Sequence, residues 1–147
     1  MEILLGMTAL SAALGVGGGI YEMTVINPVW PQRPDIVHPA SGGISRKRFW
    51  IAIHVQFELL LIASLIVAWS TPAVRTWLLV AFASHAAMRI WSAFDFIPKA
   101  LAFERSELGT VSLAESKSWV SRSRLRMPLD LITVAGVAMA FAASIAR

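Results

Sequence analysis

The chain lacks cysteine and is poor in charge. None of its 147 residues is cysteine, and only 15% are Asp, Glu, Lys or Arg. The absence of cysteine excludes a disulfide scaffold and a cysteine-ligated zinc or iron–sulfur site. The low charge and the 56% of apolar residues exclude a disordered chain. Because soluble domains average about 45–50% apolar residues, this surplus is too large for the core of one small globule.

The apolar surplus is concentrated in four long stretches. A membrane-spanning helix needs about 20 mostly apolar residues, and the stretches that qualify are approximately 3–26, 49–69, 74–97 and 127–146. The turn Ser70-Thr71-Pro72 is so short that the second and third helices must be antiparallel neighbours. We therefore expect an all-α fold, a single transmembrane domain over residues 1–147 built as an up-down bundle of four helices.

Basic residues are concentrated in two connections between these spans. Connections 27–48 and 98–126 hold ten of the 13 Lys and Arg residues, whereas the opposite side has only Arg75 and Arg147. By the positive-inside rule, both connections are expected to be cytoplasmic loops, with both termini outside the cytoplasm and the protein in the cell (inner) membrane. The net charge of +4 is then a topology signal, and nucleic acid is not an expected partner.

Capping residues and prolines predict where helices begin. Ser112 followed by Glu115 has the spacing of a capping box. The fourth helix is therefore expected to begin near Leu113 and to extend into the cytoplasm. Pro128 is expected to kink it near the membrane surface. The first connection is expected to be held extended by its prolines, which are Pro31, Pro34 and Pro39.

The first span contains a cluster of glycines at Gly15, Gly17, Gly18 and Gly19. One interpretation is close packing of helices, which small residues permit in lipid. The other is room for a flat ligand beside the backbone. Both interpretations remain open at this point.

Several ionisable residues fall inside the apolar spans, where each costs about 2.5–3.5 kcal/mol on an insertion scale. Counting inward from the cytoplasmic ends at about 1.5 Å per residue places Glu58 and Arg89 at the same level on neighbouring helices. We expect them to form an ion pair, since neither should stay charged alone in hydrocarbon. His54 lies one turn from Glu58, and His85 lies one turn from Arg89.

A second group of polar residues lies nearer the cytoplasm. The residues expected to bind a substrate are Glu22, Asp130, Arg126, Asp95, Ser92 and Tyr21. With the first group they predict a polar funnel that opens to the cytoplasm and narrows toward mid-membrane. The apolar outer halves of the first and last spans argue against a continuous channel. A structural role stays open for these groups, including an Asp95–Arg126 pair and a Glu58–Arg89 pair that only locks two helices together.

The residue types in the funnel favour acid–base chemistry without a cofactor. A di-iron centre typically needs two Glu-x-x-His pairs and two further carboxylates, so no metal site is expected. The alternative is a haem between His54 and His85, although residue counting separates them by about 10 Å in depth. Glu58 or His54 is the expected general base, while Arg89 with His85 is expected to stabilise an oxyanion.

Three motifs carry a family resemblance. They are the glycine-rich run from Gly15 to Tyr21 followed by Pro28, then Asp95, Pro98 and Ala100-Leu101-Ala102, and finally Trp119 with Ser123-x-x-Arg126. The pattern resembles the anthrone-oxygenase-like family of small four-helix membrane proteins, in which asparagine stands at the position of Ser123. The resemblance implies cofactor-free oxygenation of a phenolic anthrone to the quinone. In that reaction a base forms the anthrone carbanion, which reacts directly with dioxygen.

The leading functional hypothesis is a membrane-embedded enzyme of the oxidoreductase (monooxygenase) or proton-transfer type. Its substrate would be a small hydrophobic aromatic or quinone-like molecule. One alternative is a small proton-coupled transporter of hydrophobic cations, with Glu58 binding proton and substrate in turn. The other is a non-catalytic membrane subunit or assembly factor. The expected partners are the lipid bilayer, the small hydrophobic molecule and, in a homo-oligomer, further copies of the chain.

Overall fold

The computed structural model describes residues 1–146 as an all-helical chain, with no strand in that range. Arg147, used above in the orientation argument, lies outside the described residues. Four helices of the described chain are long and apolar enough to span a membrane, namely Glu2–Ile26, Arg46–Val67, Pro72–Arg105 and Leu113–Ile145. This result confirms the prediction of an all-α protein with four candidate membrane spans.

Only the second span is one uninterrupted α-helix. The first span consists of α1 (Glu2–Tyr21) and a π-helical turn (Glu22–Ile26), and the second is α2 (Arg46–Val67). The third consists of α3 (Pro72–Trp91), a π-helical turn (Ser92–Phe96) and α4 (Ile97–Arg105). The fourth consists of α5 (Leu113–Ser123), a 3₁₀ turn (Arg124–Arg126) and α6 (Met127–Ile145).

Both π-helical turns begin six residues before a proline, at Glu22 before Pro28 and at Ser92 before Pro98. A proline ring clashes with the carbonyl group four residues earlier, which in both cases lies inside the widened turn. The wider turn gives that carbonyl room, so the third span passes Pro98 and continues as a helix to Arg105.

Ser112 caps α5 as its spacing predicts. Its Oγ accepts a hydrogen bond from the backbone N–H of Glu115 over 3.3 Å, so the helix begins at Leu113. Pro128 lies in the first turn of α6, directly after the 3₁₀ turn. A proline is tolerated there because the first N–H groups of a helix have no partner inside it.

The first connection is folded, and the expectation of an extended loop is wrong. Two 3₁₀ turns, Pro34–Val37 and Pro39–Ser41, bend the chain back on itself. Trp30 and Val37 are fully buried in an apolar cluster with residues of the other connection. The apolar side chains between the prolines therefore decide the shape of this loop.

Two apolar clusters hold the helices together. One contains residues of all four spans, including Leu5, Leu61, Leu78 and Val137, and the other surrounds Trp30 beside the connections. The most extensive helix contact is between α3 and α6, whereas α2 and α3 contact each other far less. Large apolar side chains cover the outer surface, as a lipid-facing protein requires.

Candidate functional site

A cavity of about 370 Å³ lies inside the bundle and is lined by all four spans. It extends from Ser11 and Ala12 of α1 to Arg46, Glu104 and Arg124 near the connections. This volume is within the range of about 300–1,000 Å³ that is typical of small-molecule sites. Its ionisable lining residues are Arg46, Lys47, Arg89, Arg124, Arg126, Glu22, Glu104, Asp130, His54 and His85.

The glycines of the first span lie in two different environments. At Gly18 an added Cβ atom would collide with the ring of Phe49, so this glycine permits close packing of α1 on α2. Gly15 and Gly19 instead line the cavity, and the nearest atoms to an added Cβ there are 3.9 Å and 3.5 Å away. Their missing side chains leave space beside the backbone of α1.

The predicted ion pair between Glu58 and Arg89 is present. Oε1 of Glu58 accepts a hydrogen bond from Nε of Arg89 over 2.8 Å, and it lies 3.3 Å from Nε2 of His85. About a third of each side chain of the Glu58–Arg89 pair is exposed, whereas His85 is buried. The pair therefore joins α2 to α3 where these two helices have few other contacts.

His54 lies on the cavity wall next to this pair. Its ring stacks on Trp50, with 5.4 Å between the ring centroids, and its centroid is 5.7 Å from that of His85. Residue counting placed the two histidines about 10 Å apart in depth, and that separation is wrong for the rings. The rise per residue measures the separation of backbone positions along the helix. The imidazole side chains extend from two neighbouring helices toward each other, which brings the rings closer.

One group of three residues has the composition of a metal site. The potential ligand atoms of His54, Glu58 and His85 all lie within 4.8 Å of one another. Two histidines and one carboxylate suit a divalent transition metal. However, the guanidinium of Arg89 is bonded to the same carboxylate and opposes a second cation there. Oε1 of Glu58 is also hydrogen-bonded to Nε2 of His85, the nitrogen that a haem iron would commonly use.

A second polar layer is supplied largely by the two π-helical turns. Glu22 and Ser92, the first residues of those turns, both line the cavity together with Asp130. Nη1 of Arg126 donates a hydrogen bond to Oγ of Ser92 over 2.9 Å. Within residues 1–146, Glu22 and Asp130 make no ion pair.

Seven of the ten residues predicted for the site line this cavity, and three do not. Glu58 does not line the cavity, but it contacts His85 and Arg89, which do. Asp95 is bound by Arg122 at 2.8 Å and by Lys99 at 3.1 Å, so the Asp95–Arg126 pair considered above does not form. Tyr21 has 56% of its surface exposed and lies on another face of α1.

The sequence reasoning did not identify Arg46 as a site residue. In the sequence Arg46 contributes only to the topology signal, yet its side chain is buried and lines the cavity. Its neighbours Lys47 and Arg48 are exposed. Nothing in a run of three basic residues indicates which of them points inward, so only the three-dimensional arrangement reveals its position.

Comparisons with known proteins do not extend this description. No protein-family model, no curated protein and no solved structure matches the chain. The fold and the cavity together define its class as a membrane protein of four apolar helices with a partly charged cavity inside the bundle.

Proposed function

We propose that the chain is a membrane-embedded enzyme that transfers a proton from a small hydrophobic aromatic or quinone-like molecule. The proposal depends on one observation. The imidazoles of His54 and His85 and the guanidinium of Arg89 line a cavity of ligand size, together with many apolar residues. A bundle that needed only stability would be served as well by apolar side chains at these positions.

His54 is the proposed base. Its ring lines the cavity and forms no hydrogen bond with residues 1–146, so a ring nitrogen can take a proton from the substrate. The electron pair stays on the substrate as an enolate or phenolate. Arg89 and His85 are positioned to stabilise that oxyanion, and Glu58 orients both of them.

The resemblance to the anthrone-oxygenase-like family remains a prediction. It suggests that proton transfer is followed by oxidation of the substrate. Dioxygen is then the oxidant, and the substrate carbon that lost the proton is an activated methylene. That carbon loses its two hydrogens and gains one oxygen atom as a carbonyl, while the second oxygen atom leaves as water. No resident cofactor takes part in this scheme.

We also propose an orientation in the membrane. The bundle runs up and down through the cell (inner) membrane with both termini outside, and the cavity opens to the cytoplasm beside α5. The concentration of Lys and Arg in connections 27–48 and 98–126 supports this orientation. Thr8 near the start of α1 is hydrogen-bonded to Ser64 near the end of α2, which supports the alternation of direction.

The proposal can be tested with 1,8-dihydroxyanthrone, using the purified full chain in detergent. Under nitrogen in D₂O, exchange of the methylene protons followed by NMR measures proton transfer without oxidation. In air, oxygen uptake measures the complete reaction. We expect His54→Gln to slow the enzyme-dependent exchange by about 10²–10⁴-fold, the usual contribution of a general base.

His38→Gln is the matched control, because His38 lies in the first connection and does not line the cavity. Exchange at the wild-type rate in His54→Gln would overturn the assignment of the base. Absence of protein-dependent exchange in the wild type would overturn proton transfer on this substrate class.

A further inference from the structure

Three buried polar atoms without a partner lie at the start of α2. Within residues 1–146, Nη1 and Nη2 of Arg46 and Oγ of Ser45 have no hydrogen-bond partner. Only 8% of the surface of Arg46 is exposed. Burying a charged group is costly unless it is paired, so buried guanidinium groups normally have an acceptor.

The chain holds the Arg46 guanidinium in place without giving it a direct ion pair. The rings of Trp30 and Trp119 contact it, with centroids 5.4 Å and 5.3 Å from its central carbon. Cation–π contacts of this kind leave the N–H groups available for hydrogen bonds. The carboxylate of Glu104 is 3.8 Å from Lys47, and neither it nor Glu22 forms an ion pair with Arg46.

The N-terminal end of α2 adds to this positive site. Ser45 precedes the helix, and its hydroxyl does not cap it. The first backbone N–H groups of an α-helix have no partner inside the helix and carry the positive end of its dipole. A buried guanidinium beside the positive end of a helix has the chemistry of an oxyanion site.

This site opens into the same cavity as the proposed base. Arg46 and His54 both line the cavity, and eight residues of α2 separate them by about 12 Å along the helix. At the deep end, Oγ of Ser11 is also buried without a partner. Between these polar ends the walls include Ile53, Phe57 and the glycine face of α1.

We propose that the cavity binds an amphipathic anion, an apolar body carrying a carboxylate or an oxyanion of the same charge. Arg46, at the start of α2, binds the oxyanion, and the apolar body extends toward His54. This proposal deepens the proposed function by naming a substrate class, and it rests on that function for the bound molecule being a substrate.

The binding test compares 2-naphthoate with 2-naphthamide, which share a ring system and differ in charge. Dissociation constants are measured by equilibrium dialysis against the full chain in a non-ionic detergent. We expect wild type to bind 2-naphthoate at least about tenfold more tightly than the amide, because a charge-assisted bidentate contact is lost in the amide. Arg46→Gln is expected to remove that preference and to leave 2-naphthamide binding unchanged.

Arg48→Gln is the matched control, since it removes the same charge from an exposed position two residues away. Arg46→Lys is the second variant; it keeps the charge, loses the planar fork and should bind 2-naphthoate with intermediate affinity. Equal binding of the two probes by wild type, or an unchanged preference in Arg46→Gln, would overturn the proposal. Dodecanoate against dodecanol, measured in parallel, distinguishes an alkyl acid from an aromatic acid as the source of the carboxylate.

Failure of this proposal is distinguishable from failure of the proposed function. Binding requires no turnover, and His54→Gln should retain the preference for 2-naphthoate. If wild type prefers 2-naphthoate but deuterium exchange is absent, the oxyanion site is supported and the proposed proton transfer is contradicted. If exchange depends on His54 while 2-naphthoate and 2-naphthamide bind equally, the proposed proton transfer is supported and the oxyanion site is contradicted.

Discussion

Glu58 is the residue that connects the packing of two helices to the lining of the cavity. Its Oε1 faces Arg89 and His85 at once, and both of those residues line the cavity. The sequence was sufficient to predict the Glu58–Arg89 pair, because residues at equal depth on two neighbouring regular helices lie side by side. It was not sufficient for Asp95, whose partners are Arg122 and Lys99. The contact with Arg122 depends on the rotation of α5, which residue counting does not supply, whereas the contact with Lys99 joins residues four apart on the third span.

Removing the carboxylate alone should destabilise the bundle. In Glu58→Gln the guanidinium of Arg89 keeps a neutral acceptor and loses its counter-charge. We expect a loss of about 1–2 kcal/mol in the free energy of unfolding, because a charge-assisted hydrogen bond is replaced by a weaker one to a neutral acceptor. Denaturation of the purified protein in mixed micelles measures it. Glu2→Gln, at an exposed position of α1, is the control and should change little.

The double variant Glu58→Leu with Arg89→Met separates chemistry from packing. Replacing both members of a partly buried ion pair by apolar side chains is often neutral or stabilising. We therefore expect near wild-type stability together with loss of the deuterium exchange of 1,8-dihydroxyanthrone. Exchange at the normal rate in a stable double variant would support the non-catalytic interpretation of this pair.

At the scale of elements, the spans are shaped by small local departures from the α-helix. The sequence predicted four apolar helices because length and hydropathy are local properties. The two π-helical turns were not predicted, although their prolines were visible. Proline shows that a helix must adjust, but the resulting kink, end or widened turn depends on the neighbouring helices. These turns matter for the site because they carry Glu22 and Ser92 into it.

The packing of α1 on α2 provides an element-scale prediction. In Gly18→Ala the new methyl group meets the ring of Phe49, whereas at Gly17 it meets no atom within 4 Å. We expect Gly18→Ala to destabilise the protein by about 1 kcal/mol, at the low end for overpacking, because the ring of Phe49 is 45% exposed and can shift. Gly17→Ala should be neutral or stabilising by up to about 1 kcal/mol, because alanine favours helix. Thermal unfolding in detergent compares the two, and equal effects would contradict the packing described for Gly18.

At the scale of the whole molecule, the proposed orientation rests on the distribution of charge. The sequence predicts which ends of the spans face the cytoplasm from Lys and Arg alone. It does not predict the shape of the first connection, because burial of Trp30 requires the other connection to fold against it. The cavity is likewise a property of the assembled helices. Its lining comes from segments far apart in the chain.

The absence of cysteine makes this orientation directly measurable. Ser41 and Ser70 are both exposed and lie in connections at opposite ends of the second span. In intact cells, a membrane-impermeant maleimide should label Ser70→Cys readily and Ser41→Cys only after permeabilisation. The unmodified chain is the blank, since it has no thiol. The reverse pattern would place the basic connections outside.

The unpaired guanidinium of Arg46 also allows ligands to be found by their effect on the stability of the protein. A molecule that binds only the folded state raises the free energy of unfolding by mass action, by about 2.7 kcal/mol at a hundred times its dissociation constant. Screening a collection of amphipathic acids for a rise in melting temperature, with Arg46→Gln as the counter-screen, would therefore rank candidate ligands before any reaction is known.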